Sequence, residues 1–125
     1  MSIAITEEHR SLAETASAFL AKRNVIQATR ALLDAGAPAQ SPPAFWGELA
    51  ELGWLGLHVP EEYGGSGYGL EELAVVVEEM GRVLAPGPFA PTVIASAVLV
   101  AAADEETKKK LLPGLVDGSV IGAIA

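Results

Sequence analysis

The stretch from Thr92 to Ala103 contains no charged side chain and is apolar nearly all the way round a helix. A water-soluble chain can carry such a helix only by hiding it, so the rest of the fold must wrap around this segment. Its Ala and Ser residues let neighbouring backbones come close. The longest apolar part, Val93 to Ala103, is interrupted by Ser96 and falls well short of the ~20 residues that span a bilayer. The segment is therefore expected as the central helix of a soluble bundle, with no membrane contact.

The surrounding sequence supplies helices to do the hiding. Thr6 can cap a first helix, with Glu7 and Glu8 at its positive end. Leu12, Ala16, Phe19 and Leu20 follow on one face, and residues 22 to 33 can continue the same helix. His9 is expected on its exposed side. Gly36 and Pro38 end it, and Ala37 to Pro43 reads as a surface loop. A second helix is expected from near Ser41, with Pro42 and Pro43 in its first turn, Phe45, Leu49 and Leu52 as its stripe, and Gly53 as its C-terminal cap.

A third helix spans about Leu70 to Leu84, with Leu70, Leu73, Ala74, Val77, Met80 and Leu84 on one face. Pro86, Pro88 and Pro91 stiffen the turn into the apolar segment. Asp104 can cap a last helix, with Lys108, Lys109 and Lys110 near its negative end and Pro113 restarting a short turn. Val120 to Ala125 reads as the start of a β-strand. The expected fold class is all-α, a single bundle of about five helices, with that strand beginning at the C-terminal end.

Composition narrows the function. Half of the 125 residues are hydrophobic but only 6% are aromatic, so the core is built mostly from Ala, Val, Leu and Ile. The length suits one domain that needs no metal or disulfide staple. Cysteine is absent, which removes disulfides, thiolate metal sites and a cysteine nucleophile, and fits a cytoplasmic protein. A net charge of -8 disfavours nucleic acid and anionic membranes as partners. Met1 to Ile5 carry no basic segment followed by an apolar run, so no signal peptide is expected.

Several residues invite sharper readings that their surroundings weaken. Gly64-Gly65-Ser66-Gly67 could cradle phosphate, but Val59-Pro60-Glu61-Glu62 before it is a poor strand with two acids, and no Gly-Lys-Ser/Thr follows. A structural turn fits better. Glu61-Glu62, Glu71-Glu72 and Glu78-Glu79 point their neighbours to different helix faces and make no catalytic dyad. His9 and His58 are far apart with no third ligand, which argues against a metal site; His58, in an apolar connector, reads as a hydrogen-bonded structural residue. Trp46 and Trp54 read as core or interface anchors.

Taken in order, Phe45-Trp46-Gly47-Glu48-Leu49-Ala50-Glu51-Leu52-Gly53-Trp54-Leu55-Gly56-Leu57, Val59-Pro60-Glu61-Glu62-Tyr63-Gly64-Gly65-Ser66-Gly67, Glu78-Glu79-Met80-Gly81-Arg82, Lys108-Lys109-Lys110-Leu111-Leu112-Pro113-Gly114-Leu115, Asp117-Gly118 and Ile121-Gly122-Ala123 resemble the N-terminal helical domain of acyl-CoA dehydrogenases. The resemblance covers nearly the whole chain. It implies residues 1–119 as that helical domain and 120–125 as the first strand of a middle β-domain. It implies FAD as the cofactor of the full enzyme. The reaction it implies is α,β-dehydrogenation of an acyl-CoA thioester, in which a carboxylate removes the α-proton and a hydride leaves the β-carbon for the flavin.

In the family the catalytic base and most flavin contacts lie in later segments, so no catalytic, cofactor-binding or metal-binding residue is expected here, and the chain alone is expected to be inactive. The resemblance assigns one wall of the acyl pocket to Phe89, Ala90, Thr92, Val93 and Ser96. The partners it implies are the acyl-CoA substrate and the remaining dehydrogenase domains or subunits, in a homo- or hetero-oligomer. The alternative is a non-catalytic helical module that docks onto a separate dehydrogenase subunit. A fragment with no independent role is the third reading.

Overall fold

The computed structural model describes residues 5–38 and 41–125. The expected lack of a signal segment rests on Met1 to Ala4, and the Ala37 to Pro43 loop includes Ala39 and Gln40; these lie outside the described residues. Within them the fold is all-α. Six α-helices follow one another as α1 (Glu7–Lys22), α2 (Val25–Asp34), α3 (Trp46–Glu51), α4 (Leu70–Arg82), α5 (Phe89–Ala102) and α6 (Glu105–Asp117), with single 3-10 turns at Trp54–Gly56 and Glu61–Tyr63.

Thr6 caps α1 by accepting the His9 amide at 3.1 Å, and the His9 ring accepts the Thr6 amide in return. The two orphan donors of the helix start are thereby satisfied reciprocally. Ala16 and Leu20 are buried, with Leu12 and Phe19 packed beside them. The helix does not run on through residues 22 to 33. Asn24 adopts a left-handed conformation (φ 49°), which Asn tolerates better than most residues, and the chain turns into α2. Arg23 folds back over the Phe19 ring, 5.4 Å from its centroid, and pairs with Glu48. This break makes six helices rather than about five.

The helix expected from Ser41 starts later, at Trp46. Pro42 and Pro43 precede it in a turn closed by the Trp46 amide on the Pro43 carbonyl at 2.9 Å. Phe45 and Leu49 are buried, but Leu52 is 45% exposed because α3 ends at Glu51 and Gly53 (φ 77°) redirects the chain. Trp54, Leu55, Leu57 and Val59 then form a buried connector through the middle of the fold.

In α4 the buried stripe is Leu73, Val76 and Met80, rotated from the expected face, so that Leu70 and Leu84 are exposed. α1 packs along α4, and His9 reaches Glu72 at 3.2 Å, which leaves His9 part-buried rather than exposed. α6 begins at Asp104, whose carboxylate accepts the Thr107 amide at 2.7 Å. It continues through Pro113 to Asp117, so Lys108 to Lys110 lie in mid-helix and the last turn carries no base. The strand expected over Val120 to Ala125 is not formed: Val120 sits in a bend, its amide on the Gly114 carbonyl at 3.0 Å, and the residues after it pair with no described residue as a strand.

Two apolar clusters result. The larger joins α1, α3, α4, the connector and Phe89 and Val93 of α5. The smaller joins Val59 and Tyr63 to Leu112, Leu115 and Val116 of α6. α5 bridges the two, yet it is not hidden. Ile94 and Val98 remain 50% and 51% exposed. No helix of the described residues is long and apolar enough to cross a membrane.

Candidate functional site

The two faces of α5 divide the candidate residues. Phe89, Thr92, Val93 and Ser96 recur at helical spacing on one side and are buried, Phe89 and Val93 in the larger apolar cluster, Ser96 against His58 of the connector and Thr92 against Gly122. Ala90, Ile94 and Val98 occupy the opposite side and are exposed. Of the five expected pocket residues, the structure thus brings four together on the inner face and places Ala90 on the outer one.

The inner polar groups are committed to the fold. Ser96 Oγ donates to the Val93 carbonyl at 3.0 Å and lies 2.9 Å from His58 Nε2. Burial pushes the His58 imidazole below its ordinary value, against a smaller opposing effect of the Val93 carbonyl. Thr92 Oγ1 accepts the Gly122 amide at 3.2 Å and lies 3.5 Å from the Gly122 carbonyl. Gly122 itself presses onto α5 so closely that an added Cβ would stand 2.8 Å from Ala95 Cβ. Only a residue without a side chain permits that approach.

This strap of residues after α6 completes an apolar hollow of about 490 Å³, lined by Ala95, Val98, Leu99, Leu111, Leu115 and Ile121 among others. No ionisable side chain contributes to its lining. The spacing of α5 alone could not reveal it, since the lining comes from three separate segments. The readable signal was the lack of any polar face on α5 together with Ile121 and Ile124 beyond the last helix.

The Gly-rich loop is a structural turn. The amides of Gly64, Gly65, Ser66, Gly67 and Tyr68 already donate to the carbonyls of Glu61, Pro60, Gly56, Val59 and Leu57. A Cβ on Gly65 would run into the Val59 carbonyl. With its donors engaged inward, the loop has none to aim at a flavin pyrophosphate, and the residues present do not fit that group. Among the described residues no three His, Cys, Asp or Glu side chains come together to hold a metal.

The profile described as "Acyl-CoA dehydrogenase, N-terminal domain" matches residues 6–119. The acyl-CoA dehydrogenase IpdE2 of Mycobacterium tuberculosis is 37% identical over 119 residues, covering 94% of this chain and 36% of the relative. Among solved structures, a variant of the Tcur3481-Tcur3483 steroid ACAD superimposes with a TM-score of 0.79 at 35% identity, covering 94% of this chain and 32% of that one. An acyl-CoA dehydrogenase from Bacillus anthracis complexed with FAD gives 0.70 at 32% identity, covering 93% and 20%. The chain therefore spans about a third or less of these proteins. The profile match across α1 to α6, with the same helical arrangement in those structures, means that this chain belongs to the acyl-CoA dehydrogenase family as its N-terminal domain.

Proposed function

We propose that this chain acts as the N-terminal helical part of an FAD-dependent acyl-CoA dehydrogenase working on acyl-CoA thioesters in the cytoplasm, in fatty acid or lipid catabolism. Its role is to cover the acyl pocket and to support packing with the remaining domains or subunits. The observation that carries this reading is the outer face of α5, which joins the strap to present Ala90, Ile94, Val98 and Ile121 without a single charge. Ile94 and Val98 are each about half exposed, so covering either one releases on the order of 1 kcal/mol.

In this reading Ala90 faces the acyl chain directly. Phe89, Thr92, Val93 and Ser96 form the layer behind it and hold the helix at the rotation the wall requires. Residues 120–125 lead into the middle β-domain. In this reading the chain itself contributes no base and no flavin cradle; the engaged Gly-loop amides support the second of these. The test is to mix the purified 125-residue chain with FAD and acyl-CoA and follow the flavin's visible absorbance. Neither bleaching nor stoichiometric flavin retention is expected; either would overturn the reading.

A second reading, a helical module docking onto a separate dehydrogenase subunit, is favoured by the two-component name of the Tcur3481-Tcur3483 relative. Size-exclusion chromatography of the chain with candidate flavoprotein subunits separates the two. Co-elution supports a separate subunit, and activity only when the domains are covalently continuous supports the first.

A further inference from the structure

His58 is 7% exposed and stands at the centre of the fold, in the connector between the 3-10 turns. Its hydrogen bonding favours one neutral tautomer. Ser96 Oγ has one hydrogen, which goes to the Val93 carbonyl. With that hydrogen engaged, the contact between Nε2 and Ser96 Oγ at 2.9 Å favours the tautomer in which Nε2–H donates. Nδ1 is left as a bare lone pair, and it is buried with no partner.

A proton arriving on Nδ1 creates a buried cation: the Val93 carbonyl offsets only part of what burial costs, and among the described residues Nδ1 has no partner within hydrogen-bond distance. The segments around it offer no counter-charge. The buried side chains of α3 are Trp46 and Leu49, those of α5 are Phe89, Thr92, Val93 and Ser96, and those of α6 are Leu112, Leu115 and Val116. None is a carboxylate. Along the connector Trp54, Leu55, Leu57 and Val59 are apolar, and Glu61 and Glu62 beyond it are exposed. Tyr63, buried in the smaller cluster, is committed to Glu105. A buried cation without a counter-charge is among the costliest defects a core can carry, so the imidazole must leave the core or the core must open.

We propose that His58 and Ser96 form an acid-sensitive latch, which ties α5 to the connector while the imidazole is neutral and releases it when the imidazole takes up a proton. The latch holds the inner face of α5, and release frees the helix that carries the uncharged outer face. The inference does not depend on which partner covers that face.

The direction follows from linkage. The folded state disfavours the protonated imidazole, so the unfolded chain binds the proton more readily. The latch is fully closed above the ordinary histidine value of 6.5 and opens as pH falls below it toward the lower folded value. The test is nuclear magnetic resonance of the 125-residue chain across this range, reading the His58 ring nitrogens and the hydrogen-exchange protection of the Val93 to Ala97 amides. Expected are a neutral ring protonated at Nε2, and α5 protection factors that fall with the His58 titration by about tenfold per pH unit, as one coupled proton requires. In His58→Gln, which can still donate to Ser96 but cannot titrate, α5 protection should stay level. A ring protonated at Nδ1, an α5 whose protection is indifferent to the His58 titration, or an unchanged pH dependence in His58→Gln would each overturn the latch. Should His58→Gln fail to fold, the wild-type curve still decides: the latch requires α5 protection to begin falling near 6.5 and to level off at the midpoint of the His58 ring, and a fall in any other window overturns it.

Discussion

The indole N–H of Trp46 donates to the carbonyl of Gly118 at 3.0 Å, joining the first residue of α3 to the residue that ends α6. Gly118 has φ 81°, and a Cβ there would stand 3.0 Å from Trp46 Nε1 and 3.3 Å from Leu55 Cδ1. Gly118→Ala should therefore cost the ~1–2 kcal/mol of a left-handed alanine and displace the indole as well. Urea unfolding followed by tryptophan fluorescence reads both effects. Gly47→Ala is the control with the opposite sign. Nothing lies within 4 Å of its added Cβ, so the helix should gain about 0.5–1 kcal/mol.

Thr92 ties the strap to α5 through Gly122. Thr92→Val keeps the shape but leaves the Gly122 amide without its acceptor, at a cost of about 1–3 kcal/mol if that amide stays buried. Hydrogen exchange at Gly122 should rise markedly in Thr92→Val and little in Thr92→Ser. Equal protection in all three would show that the strap is held by packing alone.

The two faces of α5 and its surroundings should respond differently to substitution. Ile94→Glu with Val98→Glu changes only exposed positions, and each should move the stability of the 125-residue chain by no more than about 0.5 kcal/mol. The same pair should abolish activity or co-elution when the chain is joined to, or mixed with, the rest of a dehydrogenase. Leu55→Ala, at a fully buried connector position, should cost about 2–5 kcal/mol in the chain itself.

Tyr63 donates to Glu105 at 2.6 Å. That bond, then burial and the charges of Glu105 and Glu62, hold its phenol up at about 12. The folded state keeps the proton longer than the unfolded chain, so this contribution is intact below the ordinary 10.0 and is lost as pH rises from there to about 12. Spectrophotometric titration should show a tyrosine ionising near the upper value, and Glu105→Gln should bring it down.

At the acid end, Glu72 is held below the ordinary carboxylate value. Its own amide is the main cause, outweighing the opposing effect of burial, with the Gly69 amide and His9 adding to it. Its contribution is complete above the ordinary value of 4.5 and disappears as pH falls through the lower folded value. Glu72→Gln should flatten the acid limb of the stability curve, measured by thermal unfolding between mildly acidic and acidic pH. An unchanged limb would assign the acid sensitivity to other groups.

Some helix ends were readable because their causes are local; the break at Asn24 and the late start of α3 at Trp46 were not. Thr6, Asp104 and Gly53 act within a few residues of themselves, and each does what its type implies. The structural reading of the Gly64 to Gly67 turn rested likewise on what its immediate neighbours could not do. Helix rotation was less legible. The α4 sequence offers apolar residues over a wide arc, and the packing of α1 decides that Val76 rather than Leu70 turns inward.

The sequence by itself determined an all-α chain, the placing of most of its helices and the family to which it belongs, because periodicity, caps and motif order are written in near neighbours. Only the tertiary structure decided which way α5 faces. An apolar surface that runs all round a helix contains no instruction about which side is covered. That choice came from partners distant in sequence: His58 on Ser96, Gly122 on Thr92, and a strap and α6 that leave Ile94 and Val98 in the open.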